Sequence, residues 1–244
     1  MQAEGSRPAF YALQPGGWRD YVTLLHPPYT AWHLSYVAIG AALTPAFAWD
    51  RFLPTLAAFA LALGIGAHTL DELNGRPLRT SISGRVLVAL AVVSIAGAVA
   101  IGVAGTVTVD PWIGAFVLAG AFIVVAYNLE LLGGRFHGDA WFALAWGAFP
   151  LVTAYFAAAG ELDLVAAAGA VFAFLLSRAQ RLLSTPVRDV RRGVVGVEGR
   201  VERADGRSEP LTPAFLVRGN EAALQALTWA TVSLAVALVL MRAL

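Results

Sequence analysis

The stretch RVLVALAVVSIAGAVAIGVA, residues 85–104, decides the fold class, because no charged side chain follows Arg85 within it. An α-helix rises about 1.5 Å per residue, so a run of this length matches the roughly 30 Å hydrocarbon core of a bilayer. The whole chain agrees, since 58% of its 244 residues are hydrophobic and 14% are charged. Soluble domains carry about 25% charged residues. The stretch therefore predicts a membrane-spanning helix.

Similar apolar blocks occur on both sides of this one. The sequence predicts seven spans over residues Tyr29–Trp49, Phe52–Leu73, Arg85–Ala104, Pro111–Leu129, Ala140–Ala159, Leu162–Leu183 and Ala222–Leu240. We therefore expect an all-α, polytopic transmembrane helix bundle of about seven helices in the cell membrane. The chain divides into a cytoplasmic or interfacial N-terminal segment (1–28), helices one to six (29–185), a basic cytoplasmic loop (186–219) and a seventh helix (220–244). The first 28 residues lack the apolar core of a secretory signal, so we expect them to be retained.

The distribution of arginine predicts the orientation of the bundle. All 17 basic residues are arginine, and only Arg51 and Arg242 fall outside the N-terminus and the loops after helices two, four and six. Positively charged residues collect on the cytoplasmic side, so we expect a cytoplasmic N-terminus and an external C-terminus. The absence of lysine excludes a lysine Schiff base, and the absence of cysteine excludes disulfides and thiolate metal sites.

The long loop before the last helix has a pattern of its own. Residues 194–211, VVGVEGRVERADGRSEPL, alternate apolar and charged side chains around an Asp-Gly pair. This pattern predicts a small β-hairpin. A basic loop lying against anionic lipid headgroups is the alternative interpretation.

A polar cluster ends the second apolar block, in GIGAHTLDELNGRPLRTSIS, residues 64–83. His68, Asp71 and Glu72 share one helix face, because they are three and four residues apart. Carboxylates beside an imidazole favour a hard divalent cation, and the arginines that follow suit phosphate groups. The alternative is that these side chains simply meet water at a helix end, with an arginine anchoring the helix and pairing with Asp71.

The order of these features resembles a known family. LLHPPYTAWHLSYVAIGAAL (residues 24–43) followed by HTLDELNGRPLRTSIS (residues 68–83) is similar to the opening of the UbiA-type intramembrane prenyltransferase superfamily. In that family the motif N-D-x-x-D-x-x-x-D closes helix two and precedes an R-P-L stretch. Here Ala67, His68, Asp71 and Gly75 occupy the motif positions, so one aspartate is kept.

Two later segments extend the resemblance. AYNLELLGGRFHGDAWFALAWGAFPLV (residues 126–152) resembles the family's fourth and fifth helices, with Tyr127 and Arg135 at the matching positions. TPVRDVRRG (residues 185–193) resembles the second Asp motif and supplies Asp189. SRAQRLL (residues 177–183) is an alternative counterpart of that motif and contains no carboxylate.

The resemblance implies a membrane enzyme that transfers or cyclises a prenyl group, using a Mg²⁺-bound prenyl diphosphate and a lipophilic acceptor. It implies Asp71, Asp189 and Tyr127 as catalytic residues and Asp71, Glu72, His68 and Asp189 as metal ligands. The implied substrate-binding residues are Asn74, Arg76, Arg79, Arg135, His137, Arg181 and Arg188. Trp141, Trp146, Phe149 and Tyr155 would line the isoprenoid tail. The expected partners are isoprenoid and membrane lipids, and no nucleic acid.

Two other functions fit parts of the sequence. The chain could be a non-catalytic lipid-binding scaffold or subunit that keeps the fold without a complete metal motif. A metal-dependent membrane hydrolase is the other alternative. Hydrolases of this kind use several histidines, including a pair on the last helix, and LTWATVSLAVALVLM (residues 227–241) contains none. His26 and His33 are interpreted as buried, hydrogen-bonded histidines.

Overall fold

A computed structural model describes residues 7–244, and these residues form a mostly helical bundle. The helices are α1 (Trp18–Leu24), α2 (Pro27–Ala42), α3 (Trp49–Leu73), α4 (Gly84–Thr108), α5 (Ile113–Asn128), α6 (Asp139–Ala159), α7 (Leu164–Gly193) and α8 (Pro213–Ala243), with a single turn at Leu131–Gly134. Helices α3, α4, α6, α7 and α8 are long and apolar enough to cross a membrane, while α5 is apolar but shorter. The molecule therefore has the architecture of an all-α membrane bundle.

Helix α2 lies at the centre of this bundle and contacts α3, α6 and α8. Its side chains belong to both large apolar clusters of the core, with Val37 in one and Trp32 and Tyr36 in the other. Gly40 allows α2 to cross α6 closely, because a Cβ atom there would lie 2.2 Å from the carbonyl oxygen of Leu151. A helix of only 16 residues thus supplies side chains to both parts of the core.

Two helices contain a π-helical segment, in which hydrogen bonds span five residues instead of four. These segments are Ala60–Ala67 in α3 and Leu144–Ala148 in α6. Such segments are rare and occur frequently at functional sites, because they alter the direction of nearby groups. Both segments contain residues that line the polar cavity described below.

The helix ends differ from the predicted block boundaries. The first block was predicted to reach Trp49, but α2 ends at Ala42, and Pro45 follows in a connection that a helix could not accommodate. Helices α7 and α8 are longer than predicted, so the connection between them shrinks from residues 186–219 to residues 194–212. The polar end of α7 stays helical because it packs against the start of α8, where Val187 and Val217 share a cluster.

A small hairpin occupies the shortened connection. Strands β1 (Arg200–Glu202) and β2 (Ser208–Pro210) pair antiparallel, with Val201 opposite Glu209. Gly206 adopts φ +84°, a conformation that glycine takes readily, and so supports the tight return of the chain. The hairpin is exposed to solvent.

Candidate functional site

A cavity of about 210 Å³ lies where one end of the bundle meets the N-terminal segment. We call it the polar cavity. Its wall combines residues before α1, the start of α2, the ends of α3 and α5, and the last turns of α7. All four histidines of the chain line it, together with Asp71, Arg181, Arg188 and Arg192. Residues from distant parts of the sequence thus form one charged pocket.

Main-chain carbonyl groups hold three of these histidines. The Nδ1 atoms of His33, His68 and His137 lie 2.9, 3.2 and 3.0 Å from the carbonyl oxygens of Trp146, Gly64 and Tyr127. A carbonyl oxygen only accepts, so each Nδ1 donates. Gly64 and Trp146 belong to the two π-helical segments. These segments therefore orient histidines in the polar cavity.

The fourth histidine, His26, lies between α1 and α2 and contacts Tyr11. Tyr11 Oη is 2.7 Å from His26 Nδ1, and the His26 ring stacks on His68 with centroids 4.1 Å apart. Burial holds the pKa of His26 well below its ordinary value, and His68 and Arg192 act in the same direction. Burial, reinforced by Tyr29, raises the pKa of Tyr11 well above its ordinary value. Both groups are neutral at pH 7.

Three arginines on one face of α7 give the polar cavity its positive charge. Arg181 donates through Nε to Asp139 at 3.0 Å, and its guanidinium lies 5.4 Å from the ring centre of Phe142. Arg188 donates to the hydroxyls of Ser184 and Thr185 at 3.2 and 3.0 Å. These contacts fix the arginines while leaving several of their N–H groups available to an anion.

Unpaired polar atoms collect in the same place. Within residues 7–244, four buried side-chain atoms have no hydrogen-bond partner: His26 Nε2, Tyr127 Oη, Gln180 Oε1 and Arg192 Nε. All four residues line the polar cavity. Buried polar groups are normally hydrogen-bonded, because leaving one unpaired costs about 1–3 kcal/mol. Four polar groups in one cavity are thus available to hydrogen-bond with a polar molecule.

A second cavity of about 320 Å³ adjoins the first. It lies between α3, α4, α5 and α6, and most of its lining side chains are apolar. Leu63 and Trp146 line both cavities, so the two are neighbours that share a wall inside the bundle. The apolar cavity extends from there toward Asp50 and Arg51 at the start of α3. Together the cavities could hold a molecule with a polar head and an apolar tail.

Residues 8–13, which we call the cover segment, close one side of the polar cavity. Ala9 and Ala12 are buried, and the Leu13 N–H donates to the Thr23 hydroxyl at 3.0 Å. The rings of Phe10 and Tyr11 both meet Tyr29 edge to face. The cover segment is therefore held by side-chain packing and lies over the cavity without regular secondary structure.

The structure brings together only part of the site predicted from the sequence. The predicted residues that line the polar cavity are His68, Asp71, Tyr127, His137, Arg181 and Arg188. Those outside its lining are Glu72, Asn74, Arg76, Arg79, Arg135 and Asp189. Asp189 is exposed, so the structure does not bring the carboxylates of the two family motifs into one cavity.

Glu72, Asn74 and Arg76 hold the loop after α3 instead. Glu72 accepts hydrogen bonds from the main-chain N–H groups of Leu78 and Thr80, both at 2.9 Å, and from the Thr80 hydroxyl at 2.8 Å. Arg76 donates to the Ile82 carbonyl at 2.6 Å. Asn74 donates to a carbonyl at the end of α5. Some polar residues of this stretch therefore stabilise the loop after α3 and do not face the cavity.

Several lining residues were missed by the sequence reasoning, namely Tyr11, Tyr29, Gln180 and Arg192, while His26 and His33 were given only a structural role. The sequence of α7 contains a pattern that identifies part of this set. Gln180, Ser184 and Arg188 recur at four-residue spacing, which places polar side chains on one face of an otherwise apolar helix. No comparable pattern marks Tyr11.

The protein side chains of the polar cavity do not by themselves complete the coordination of a Mg²⁺ ion. Mg²⁺ requires oxygen ligands in near-octahedral geometry. Asp71 is the one carboxylate in the lining, and the other candidate ligands there are imidazoles and the side-chain amide oxygens of Asn128 and Gln180. Across the described part of the chain, no three His, Asp or Glu side chains are grouped closely enough to hold a metal ion. Mg²⁺ therefore stays a prediction from the resemblance.

Comparison with known proteins identifies no relative of this chain. No protein-family model, no curated protein and no solved structure matches the chain.

Proposed function

We propose that this chain is a membrane-embedded prenyl-transferring enzyme of the UbiA-like type, which binds an isoprenoid diphosphate and transfers its prenyl group to a lipophilic acceptor. The observation that supports this best is the junction of the two cavities. An arginine-rich polar pocket with unpaired donors meets an apolar pocket within a membrane-type bundle. An amphiphile with an anionic head and an apolar tail matches that combination.

The arginines are suited to the head of such a molecule. A guanidinium group offers five N–H donors and binds phosphate oxygens with two parallel hydrogen bonds. Arg188 and Arg192 lie four residues apart on α7, so they face the cavity from successive turns. Binding of phosphate oxygens would also satisfy Arg192 Nε, which is otherwise unpaired.

The chemistry would proceed at the junction of the cavities. The bond between the prenyl carbon and the diphosphate oxygen breaks, and its electron pair leaves with the diphosphate. Cationic side chains that face the departing group stabilise the charge that develops on it. The prenyl carbon is captured by the acceptor, and the apolar walls around Leu63 and Trp146 exclude water from the reactive carbon.

Binding of farnesyl diphosphate and of farnesol to the purified protein tests this assignment. We expect the diphosphate to bind more tightly than the alcohol. Arg188→Gln and Arg192→Gln should each weaken diphosphate binding roughly tenfold or more, since each removes charge-assisted hydrogen bonds. Arg79→Gln is the matched control, because Arg79 is exposed at the same end of α3 and does not line the cavity. Equal affinity for the alcohol and the diphosphate would contradict the proposal.

A non-catalytic lipid-binding protein is the second candidate. It is favoured by the position of Asp189, which is exposed rather than opposite Asp71. Radiolabelled farnesyl diphosphate incubated with the protein and a membrane lipid extract separates the two candidates. Release of diphosphate together with a labelled lipid product supports the enzyme, whereas tight binding without release supports the lipid-binding protein.

A further inference from the structure

The carboxylates near the polar cavity are nearly all engaged elsewhere. Glu72 is fully buried and accepts three hydrogen bonds from the loop after α3. Asp139 pairs with Arg181 at 3.0 Å and with Arg178 at 3.4 Å. Asp189 is exposed and outside the lining. Only Asp71 remains to face a molecule in the cavity.

Asp71 itself is unengaged. Its side chain makes no hydrogen bond or ion pair within residues 7–244, although it lines a cavity with three arginines. A carboxylate paired with an arginine would already be neutralised. Asp71 is instead left free to interact with whatever enters the cavity.

The positive charge of the lining exceeds the negative charge. Arg181, Arg188 and Arg192 supply three cations, and Asp71 supplies one anion. Asp139 offsets Arg181 from outside the lining. The cavity therefore attracts an anion without a metal ion, because two arginines remain after this pairing and their N–H groups can reach several oxygens.

We infer that the polar cavity binds its anion through Arg181, Arg188 and Arg192 without a divalent cation, and that Asp71 accepts a proton directly from the second substrate. This inference rests on the proposed function, since it takes the anion to be the diphosphate of an isoprenoid. The acceptor is an apolar molecule with an O–H or N–H group. As its oxygen or nitrogen bonds to the prenyl carbon, its proton passes to Asp71 and the diphosphate leaves with the electron pair of the broken C–O bond.

This arrangement and a metal-bound one predict opposite effects of the same substitution. If Asp71 held Mg²⁺, Asp71→Asn would remove the ion and weaken diphosphate binding. In the metal-free site, Asp71→Asn removes a negative charge beside the arginines, so diphosphate binds more tightly. We expect a gain on the order of fivefold to tenfold, as for unit charges several ångströms apart in a partly solvated site.

The experiment measures binding of farnesyl diphosphate to wild type, Asp71→Asn and Asp189→Asn, each with EDTA and with excess Mg²⁺. Asp189→Asn is the matched control, because it removes a carboxylate from the same end of the bundle but outside the cavity. We expect wild-type affinity to be unchanged by EDTA, Asp71→Asn to bind more tightly while losing prenyl transfer, and Asp189→Asn to resemble wild type. Thermal unfolding of each variant establishes that it is folded.

Two outcomes would overturn the inference. One is a strong loss of wild-type binding in EDTA, and the other is weaker binding by Asp71→Asn. Either would leave the proposed function intact, because the diphosphate would still be recognised. A different result would contradict the proposed function itself. In that case wild type would bind farnesyl diphosphate and farnesol equally well, both with EDTA and with excess Mg²⁺.

Discussion

At the scale of single residues, Asp71 and Glu72 are neighbours with different environments. Asp71 lines the polar cavity, whereas Glu72 points into the loop that follows α3 and is fully buried there. Sequence spacing placed both on the same helix face with His68, and one metal-binding task was predicted for all three. The spacing was insufficient because a loop, which has no periodicity, supplies the donors that engage Glu72.

Glu72→Gln should destabilise the protein. An amide nitrogen cannot accept a hydrogen bond, so at least one donor of Leu78 or Thr80 would lose its partner. The expected loss is about 1–3 kcal/mol in the free energy of unfolding. Thermal unfolding in detergent measures it, with Glu161→Gln as the control, because Glu161 is exposed between α6 and α7. Equal unfolding temperatures for wild type and Glu72→Gln would refute a structural role.

His26 should make stability depend on pH. Its pKa is lowered in the folded protein, mainly by burial, while the unfolded chain takes up a proton near pH 6.5. The unfolded state therefore binds more protons below that pH, and stability present at pH 7.5 is lost as the pH falls. The groups that face His26 are Tyr11, His33, His68, Arg188 and Arg192. A series of unfolding temperatures from about pH 7.5 to 5 should slope less steeply in His26→Gln than in wild type.

At the scale of elements, α7 shows what the sequence could and could not reveal. Its apolar part was predictable from composition, and its true end was not. The prediction stopped at Leu183 because the following residues are polar. The helix continues to Gly193 because Val187 packs against α8 and Arg191 pairs with Glu221. The two π-helical segments were equally unpredictable, since their sequences are ordinary apolar helix sequences.

The crossing of α2 and α6 gives a second stability prediction. Gly40→Ala would place a methyl group 2.2 Å from the Leu151 carbonyl oxygen, so the two backbones must separate. We expect a loss of several kcal/mol or failure to fold, because overpacking against a backbone cannot be relieved by rotating a side chain. Gly219→Ala is the control, since a Cβ there meets nothing within 4 Å and alanine favours a helix. Similar unfolding temperatures for the two variants would contradict the close crossing.

At the scale of the whole molecule, the number of spans can be tested directly. The sequence predicts seven spans, whereas five helices meet the length and composition of a span. Reporter fusions after Asp110, Phe136, Glu161, Pro210 and Leu244 distinguish these cases. We expect the second and fourth to report the cytoplasm and the others the outside, because the arginines flank the former. If α5 does not cross the membrane, the first two reporters will agree.

The membrane-type bundle followed from composition, but the polar cavity did not. Its lining comes from positions as far apart as Tyr11 and Arg192. A single sequence records which side chains lie on one helix face, and so it indicated His68 with Asp71. Arg181 and Arg188 were grouped only through the resemblance, since the predicted helix ended at Leu183. A sequence gives no distances between elements, so it could not predict that these residues and the cover segment line one cavity.

The cover segment has a consequence for biosynthesis. Arg7, the residue directly before it, accepts a hydrogen bond through its main-chain carbonyl from Arg191 of α7, 184 residues later. Residues 7–13 are therefore synthesised long before the residues of α7 that line the polar cavity with them. A nascent chain that ends before α7 would contain the four histidines and Asp71 of the lining without Arg181, Arg188 and Arg192, so the polar cavity can form only after α7 is made.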